Sequence, residues 1–484
     1  MIVKVLKKYE SLPIQIKASF WFLICSFMQK GISVITTPIF TRLMTTSEYG
    51  NYNVFNSWLG IVTIFVSLNL SWGAYAQGLI KFEEEQKEYS SSLQGLTVFL
   101  TSVWTIIYLL TWKFWNNLFS LTTVQMLSMF VMIWATSVFN FWSAEQRVDY
   151  KFRLLVFLTI LVSIAKPVTG IVFVIYANDK VTARILALAL VELIAYAWLF
   201  FIQMYRGKKF YIKKFWIHAL AFNIPLIPHY LSQTALNSAD RIMIKGMIGE
   251  SSAGIYSLAY SISLIMTLFN TALGQTISPW IYKKIKEKQI KAISKVAYAS
   301  LIIIGVCNIL LIAFAPEAVA LFAPATYYEA IWIIPPVAMS VYFMYAYDLF
   351  AKFEFYFAKT KLIAIATVLG AILNIVLNYI FIGTFGYYAA GYTTLVCYIL
   401  YALFHFIAMR KVCQEELHGV FPYDNKKLLL ITGVFLTLGF SFLFLYKYFT
   451  LRYTLITILI LIVICKRNLI KNALEMIIST KRTY

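Results

Sequence analysis

The chain has 484 residues, of which 61% are hydrophobic, 17% are aromatic and only 13% are charged. Soluble globular proteins carry about 25% charged residues, so this composition excludes a soluble multidomain enzyme and a disordered or low-complexity chain. Lysine and arginine total 42 against 21 acidic residues, a formal net charge of +21. That excess would suggest nucleic acid in a soluble protein, but in a membrane protein it can record which loops face the cytoplasm.

Fourteen stretches of the chain are apolar and long enough to cross a bilayer, which takes about 20 residues for a helix. They lie near 18–40, 51–73, 92–112, 121–142, 154–176, 185–205, 217–239, 253–279, 296–315, 330–350, 362–382, 387–409, 428–446 and 451–465. The last is short enough to be interfacial or tilted. Because the connections are also short, the sequence predicts an all-α integral membrane protein with about 14 transmembrane helices.

The basic residues lie mostly at one end of these predicted helices. If the N-terminus is cytoplasmic and every stretch crosses, 32 of the 42 Lys and Arg residues lie on the cytoplasmic side and 8 on the other. Only Lys30 and Lys166 fall inside spans. This positive-inside bias predicts that both termini are cytoplasmic, and it removes the need for a nucleic-acid partner.

An internal repeat relates residues 47–69 to residues 251–273, a shift of 204 positions with 7 of 23 residues identical. The first two spans therefore correspond to the seventh and eighth. The sequence predicts two parallel six-helix lobes, as in some transporters, with a central cavity between them. The predicted parts are an N-lobe at 1–205, a basic cytoplasmic linker at 206–216, a C-lobe at 217–410, and two additional helices with a cytoplasmic tail at 411–484.

Ionisable side chains inside spans cost about 2.5–3.5 kcal/mol each on insertion scales and normally face a bundle interior or a wet cavity. The candidates are Lys30, Lys166, Glu192, Asp240 with Arg241, and Asp348. Ion pairing is the alternative for each. Lys30 could pair with Glu192 or Asp348, Asp240 with Arg241, and Asp348 with Lys352.

Polar residues share one face of the first two predicted helices of each half. In the seventh span this face carries His229 and Asp240, and two prolines at 225 and 228 should break or bend the helix ahead of it. In the eighth span it carries Tyr256 and Tyr260. Each stripe alone could simply pack helices closely, but the four together favour a shared polar cavity.

Sequence signals of an enzyme are missing. The chain has no GxxxxGK[ST] phosphate loop and no HExxH pair, and no metal site is expected. The longest predicted outer connection, 316–329, holds only two glutamates. A transporter is therefore favoured over a catalyst.

Three motifs carry a resemblance to a known family. They are Pro38-Ile-Phe-Thr-Arg42-Leu with Ser47-Glu-Tyr-Gly50, Pro225-Leu-Ile-Pro228-His229 leading to Ala239-Asp240-Arg241, and Gly370-Ala-Ile-Leu-Asn374-Ile-Val-Leu-Asn378 continuing to Gly391. Together they resemble the O-antigen and capsule repeat-unit flippases of the multidrug/oligosaccharidyl-lipid/polysaccharide exporter superfamily. The resemblance covers about residues 11–410. Most members of that family have twelve helices, so the pair at 428–465 is extra.

The resemblance implies alternating access in a bacterial cytoplasmic (inner) membrane. The implied substrate is undecaprenyl diphosphate carrying a short oligosaccharide, flipped from the inner to the outer leaflet through a cationic cavity. Other polysaccharide-assembly proteins are possible partners, and no cofactor is expected beyond a coupling proton or sodium ion. Our expected substrate-binding residues are Lys30, Arg42, Lys166, Arg241, His229, Tyr256, Tyr260, Asn374 and Asn378; our ion-coupling candidates are Asp240, Glu192 and Asp348.

Two other functions stay open at the level of sequence. A drug or cation antiporter of the same superfamily should show cavities dominated by acidic residues, whereas the charges inside these spans are not mostly acidic. A membrane polymerase or ligase of lipid-linked sugars would need catalytic residues in a substantial outer loop.

Overall fold

The computed structural model describes residues 13–465, and every regular element in that part of the chain is a helix. The α-helices are α1 Ile14–Leu43, α2 Thr46–Ser67, α3 Ala74–Lys81, α4 Gln86–Leu110, α5 Trp112–Phe119, α6 Thr123–Val148, α7 Phe152–Tyr176, α8 Lys180–Gly207, α9 Lys213–Asn223, α10 Ile227–Met247, α11 Glu250–Ser263, α12 Met266–Lys286, α13 Ile290–Ala313, α14 Ala315–Phe322, α15 Ile334–Tyr356, α16 Thr360–Phe385, α17 Ala389–Glu416, α18 Asn425–Leu445 and α19 Phe449–Cys465. The two termini, which the charge count placed in the cytoplasm, lie outside the described residues.

The all-helical prediction is confirmed, and each of the predicted spans overlaps a helix. Within residues 13–465, ten helices are long and apolar enough to cross a membrane, or eleven if the bent pair Ala325–Trp332 and Ile334–Tyr356 is one span. The other three predicted spans correspond to α2, α9 with α10, and α19. Polar stripes make α2 and α10 less apolar, and α19 has only 17 residues. The count of fourteen spans therefore stays a prediction.

The seventh predicted span is broken where its two prolines require it. Helix α9 ends at Asn223, a 3₁₀ turn covers Ile224–Leu226, and α10 begins at Ile227. Proline cannot donate the backbone hydrogen bond that a continuous helix needs. The 3₁₀ turn separates α9 from α10, the helix that carries the polar face predicted from the sequence.

The chain forms two compact units that divide between Thr234 and Ala235, inside α10. In the first unit the predicted linker is packed against α4. The backbone N–H of Ile212 donates to the Ser92 hydroxyl at 2.9 Å, and the Trp216 indole N–H donates to the Ser92 carbonyl at 2.9 Å. A side chain on Gly95 would collide with the Phe210 carbonyl, 2.0 Å from the position of its Cβ. These contacts hold the linker to the first unit.

The second unit is built around α15 and α17, with α13 and α18 packed on α15. The additional helices belong to its core, because Phe435 of α18 stacks on Tyr342 of α15 at 4.1 Å between ring centroids. Arg452 of α19 is buried and pairs with Glu317 of α14. The last two helices are thus joined to this unit by both apolar packing and an ion pair.

A fully buried pair joins the two central helices of the second unit. Nδ1 of His405 on α17 lies 2.7 Å from a carboxylate oxygen of Glu354 on α15, and both side chains are inaccessible to solvent. The His405 ring packs against the rings of Tyr347 and Tyr401. Removing one partner of such a pair strands the other in a medium of low dielectric constant.

We expect Glu354→Ala to lower the free energy of unfolding by about 3–5 kcal/mol, the usual loss when a buried pair is broken. Thermal unfolding of the purified protein in detergent measures this. The double variant Glu354→Leu/His405→Phe, which leaves no orphaned polar group, should recover much of the loss. The control is Glu415→Ala, at a glutamate that pairs with Lys359 at the exposed end of α17. An unchanged melting temperature in Glu354→Ala would contradict the importance of the pair.

Candidate functional site

A buried carboxylate lies on α10 in the second unit. The side chain of Asp240 is almost completely inaccessible, and it accepts hydrogen bonds from three neutral donors. The Tyr256 hydroxyl donates at 2.5 Å, the Asn378 amide at 2.5 Å and the Thr394 hydroxyl at 3.0 Å. These donors come from α11, α16 and α17, so one side chain of α10 connects four helices.

The local sequence explains how these helices meet. Helix α10 ends at Met247 and α11 begins at Glu250, with Gly249 between them at a φ of +134°. That backbone conformation favours glycine. The tight connection returns α11 to the side of α10, which brings Tyr256 to the Asp240 carboxylate.

Further polar side chains extend this arrangement along α16 and α17. The Asn378 amide also donates to the Asn374 side-chain oxygen at 3.3 Å, and Thr393 donates its hydroxyl to the Asn378 side-chain oxygen. We refer to Asp240, Tyr256, Asn374, Asn378, Thr393 and Thr394 as the Asp240 cluster. Sequence reasoning identified the first four of these residues but missed both threonines. They lie within one helical turn after Gly391, the last residue of the third motif.

Arg241 lies beside this cluster but does not neutralise it. Its guanidinium lies 4.4 Å from the centroid of the Tyr260 ring, and its Nη1 donates to the Asn237 carbonyl at 3.2 Å. Arg241 forms no salt bridge with any residue that the structure describes. The local Asp240–Arg241 ion pair considered from the sequence is therefore not formed. A cation stacked on an aromatic face keeps its charge available.

In the first unit, Lys166 and Glu192 form an ion pair. The Lys166 ammonium lies 2.5 Å from one carboxylate oxygen of Glu192, and the Thr136 hydroxyl donates to the other at 3.1 Å. Glu192 of α8 therefore pairs with Lys166 of the preceding helix α7. It does not pair with Lys30, which was the alternative considered from the sequence. Because Glu192 balances the charge of Lys166, this lysine offers less to an anion than the sequence suggested.

The two other expected cations of the first unit lie on α1. Lys30 is exposed and forms no ion pair with any residue between 13 and 465. Arg42 is also exposed at the end of the helix and donates from Nη1 to the Pro38 carbonyl at 2.9 Å.

Sequence reasoning missed Arg184 of α8, a third cation of the first unit, which lies against the end of α1. The Arg184 guanidinium lies 3.5 Å from the ring centroids of both Phe40 and Tyr52. The adjacent Lys180 donates to the Leu43 carbonyl at 2.7 Å. From the sequence alone, Arg184 was only one of the few basic residues on the outer side. Its aromatic partners give it a fixed position beside the segment that carries Arg42.

The remaining expected residues lie apart from the Asp240 cluster. Asp348 on α15 holds Lys352, one turn later, at 2.8 Å from both carboxylate oxygens, which is the local pair considered from the sequence. His229 is half-buried in the first unit, with its ring beside that of Tyr230. The structure thus gathers Asp240, Arg241 and their neighbours but places the other candidates elsewhere.

Comparisons with known proteins identify what this fold resembles. A family model for "Polysaccharide biosynthesis protein" matches residues 16–284. A protein of the Lsg locus of Haemophilus influenzae is 30% identical over 228 residues, 43% of this chain and 55% of that protein, so the match spans about half of its length. An uncharacterised membrane protein of the same bacterium is 22% identical over 374 residues, 74% of this chain and 88% of that protein.

Solved structures share the fold at low identity. The lipid II flippase MurJ in an inward closed conformation has a TM-score of 0.69 and 15% identity, covering 92% of this chain and 99% of its own. An inward-facing multidrug resistance MATE transporter of the MOP superfamily has a TM-score of 0.62 and 13% identity, covering 81% of this chain and 96% of its own. The chain is therefore a multi-pass membrane protein with a fold of this superfamily.

We expect Asp240→Leu to loosen the second unit, because each buried donor left without its acceptor costs about 1–3 kcal/mol. Hydrogen–deuterium exchange should rise in α11, α16 and α17, the helices that supply the donors. Tyr256→Phe removes a single hydrogen bond and should cost only about 1 kcal/mol. Tyr205→Phe, at an exposed side chain of the first unit, serves as the control. Unchanged exchange in all three helices of Asp240→Leu would refute this role.

Proposed function

Because the chain belongs to the polysaccharide biosynthesis protein family, we propose that it is a flippase for lipid-linked oligosaccharides. The proposed substrate is undecaprenyl diphosphate carrying an oligosaccharide repeat unit of an O-antigen, capsule or similar polymer. It would move from the inner to the outer leaflet of a bacterial cytoplasmic membrane, with both termini of the protein in the cytoplasm. The family match, combined with a fold shared with a lipid II flippase, carries this proposal.

The physical problem is the polar head of the substrate. A diphosphate and several sugars cannot cross about 30 Å of hydrocarbon without partners for their charges and hydroxyl groups. A protein that supplies cations and hydrogen bonds replaces the lost hydration. Alternating access moves the head across, while the polyprenyl tail stays in lipid.

The distribution of compensated charges supports an anionic head. Among the candidate cations of the described chain, Lys30 and Arg241 form no salt bridge, whereas Lys166 is paired with Glu192. A phosphate gains most from a cation whose charge is not already balanced. We therefore propose Lys30 and Arg42 of the first unit and Arg241 of the second as residues that each bind the diphosphate at some stage of its transfer.

The same distribution disfavours the two alternative functions. A carrier of cationic drugs needs accessible, unbalanced acidic groups, but Glu192 and Asp348 each lie against a lysine, and Asp240 is buried among hydrogen-bond donors. A polymerase or ligase needs carboxylates ready for catalysis in the outer connection. There, Glu317 pairs with Arg452, and Glu329 accepts hydrogen bonds from Tyr387 and Tyr388.

We also propose Asp240 as the coupling carboxylate. It is buried among neutral donors and accepts hydrogen bonds on both oxygens. A proton on Asp240 would turn one acceptor oxygen into a donor, so the hydrogen bonds that it receives from α11, α16 and α17 would have to rearrange. A sodium ion would instead find oxygen ligands in Asp240, Asn374 and Thr394. Either ion would couple its binding to the packing of α11, α16 and α17.

The proposed binding cations can be tested by reconstitution. We expect Arg241→Ala to slow the transfer of lipid-linked oligosaccharide in proteoliposomes about tenfold or more, because a lost charge-assisted hydrogen bond costs about 1.5–3 kcal/mol. The double variant Arg42→Ala/Arg241→Ala should be slower still. Lys359→Ala, at a partly exposed lysine between α15 and α16, is the matched control. Wild-type rates in the double variant would rule out the arginines as substrate ligands.

Coupling is tested with imposed gradients. If Asp240 carries the ion, a proton or a sodium gradient should change the transfer rate of the wild-type protein but not that of Asp240→Asn. Asp149→Asn, at a carboxylate that pairs with an exposed lysine, should respond like the wild type. A wild-type rate that ignores both gradients would overturn the coupled mechanism while leaving the flippase intact.

A further inference from the structure

A polar pocket of about 370 Å³ lies within the second unit, between α12 and α15. Side chains that line it include Asn270, Thr271, Gln275, Ser278, Asp348 and Lys352. It is separate from the Asp240 cluster, which is formed by α10, α11, α16 and α17. Most of the residues that line it have polar side chains, and Met344, Tyr345 and Tyr347 complete its wall.

The charges of this pocket cancel. Lys352 is buried, and its ammonium lies 2.8 Å from both oxygens of the more exposed Asp348 carboxylate. The pair therefore offers hydrogen-bonding atoms without a net charge. A diphosphate would be repelled by the carboxylate, and a drug cation would compete with Lys352 for it. An uncharged ligand with many hydroxyl groups meets neither penalty.

The pocket also holds hydrogen-bonding capacity that the protein does not use. Ser278 and Thr271 donate their hydroxyl protons to carbonyls of their own helix, at 2.5 and 2.8 Å, so their oxygens remain acceptors. The Asn270 amide donates to the Val341 carbonyl at 2.9 Å, and its side-chain oxygen, which is buried in this structure, has no partner among the described residues. Gln275 adds an exposed amide. Sugar hydroxyls both donate and accept, which matches this mixture.

A glycine keeps the space between the two helices open. Gly274 of α12 faces Asp348, and a Cβ at this position would lie 3.7 Å from the nearer carboxylate oxygen. Alanine would fit there, but a larger side chain would extend into the pocket. A large apolar side chain substituted for Gly274 would therefore occupy the pocket without removing any of its polar groups.

We propose that this pocket binds one sugar of the lipid-linked oligosaccharide, apart from the cations that bind the diphosphate. The proposal rests on the proposed flippase function and names the part of the substrate that this neutral pocket recognises. Sugar recognition would then come from the second unit through hydrogen bonds to Asn270, Asp348 and their neighbours. The charge of the lipid head would be bound by other residues.

The test compares two lipids that differ only in the sugars. Affinity for undecaprenyl diphosphate, and for the same lipid carrying the oligosaccharide of the host, is measured with the full-length protein in nanodiscs. We expect Gly274→Leu to weaken binding of the glycosylated lipid about tenfold, which removes about 1.4 kcal/mol, and to leave binding of the bare lipid unchanged. Asn270→Ala, which adds no bulk, should weaken only the glycosylated lipid, about threefold. Gly433→Leu is the control, because a Cβ at Gly433 of α18 meets nothing within 4 Å.

The outcomes separate this inference from the proposed function. If the wild-type protein binds neither lipid, the flippase proposal fails. If it binds both lipids and neither Gly274→Leu nor Asn270→Ala discriminates between them, the sugar pocket alone is overturned. Tetraphenylphosphonium is the third probe: binding that is abolished by Gly274→Leu would assign the pocket to a cation instead. If Gly274→Leu does not fold, Asn270→Ala decides the result.

Discussion

The hydrocarbon core of a bilayer supplies no hydrogen-bond partner, so each polar side chain inside a span must find one within the protein or in a water-filled cavity. This constraint organises the packing of both units. Glu192 pairs with Lys166 across α7 and α8, and Glu354 pairs with His405 across α15 and α17. Asp240 instead gathers neutral donors from three helices. Each acidic group thereby fixes which helices lie together and how each is rotated about its axis.

The consequence for function is an imbalance of available charge. Glu192 and Asp348 are paired with lysines and Asp240 is enclosed by neutral hydrogen-bond donors, whereas Lys30 and Arg241 have no salt-bridge partner in the described chain. A protein arranged in this way favours an anion over a cation without needing many basic residues in its membrane region. Under the proposed function, the neutral pocket beside Asp348 would add hydrogen bonds for the sugars of the substrate, and the unpaired cations would bind its phosphates.

The internal repeat relates one helix of the first unit to one helix of the second, but equivalent residues make different contacts in the two units. Helices α2 and α11 begin at Thr46 and Glu250, which are 204 residues apart, the same shift that aligns their sequences. Tyr52 and Tyr256 are equivalent in this alignment. Tyr52 packs on the Arg184 guanidinium, whereas Tyr256 donates its hydroxyl to Asp240. The same residue type therefore supports a cation in one unit and a buried carboxylate in the other.

The sequence by itself determined where the helices lie, because an apolar stretch of sufficient length is a local property of the chain. It also located the break before α10, from two prolines, and the Asp348–Lys352 pair, whose members are one helical turn apart. It identified four of the six residues of the Asp240 cluster as candidates, but not that they contact one another. Only the tertiary structure decided that Asp240 meets Asn378 and Thr394, which are 138 and 154 residues away, and that Glu354 meets His405, 51 residues away. Such partners depend on which helices pack together and on the rotation of each about its axis, and hydropathy along the chain encodes neither.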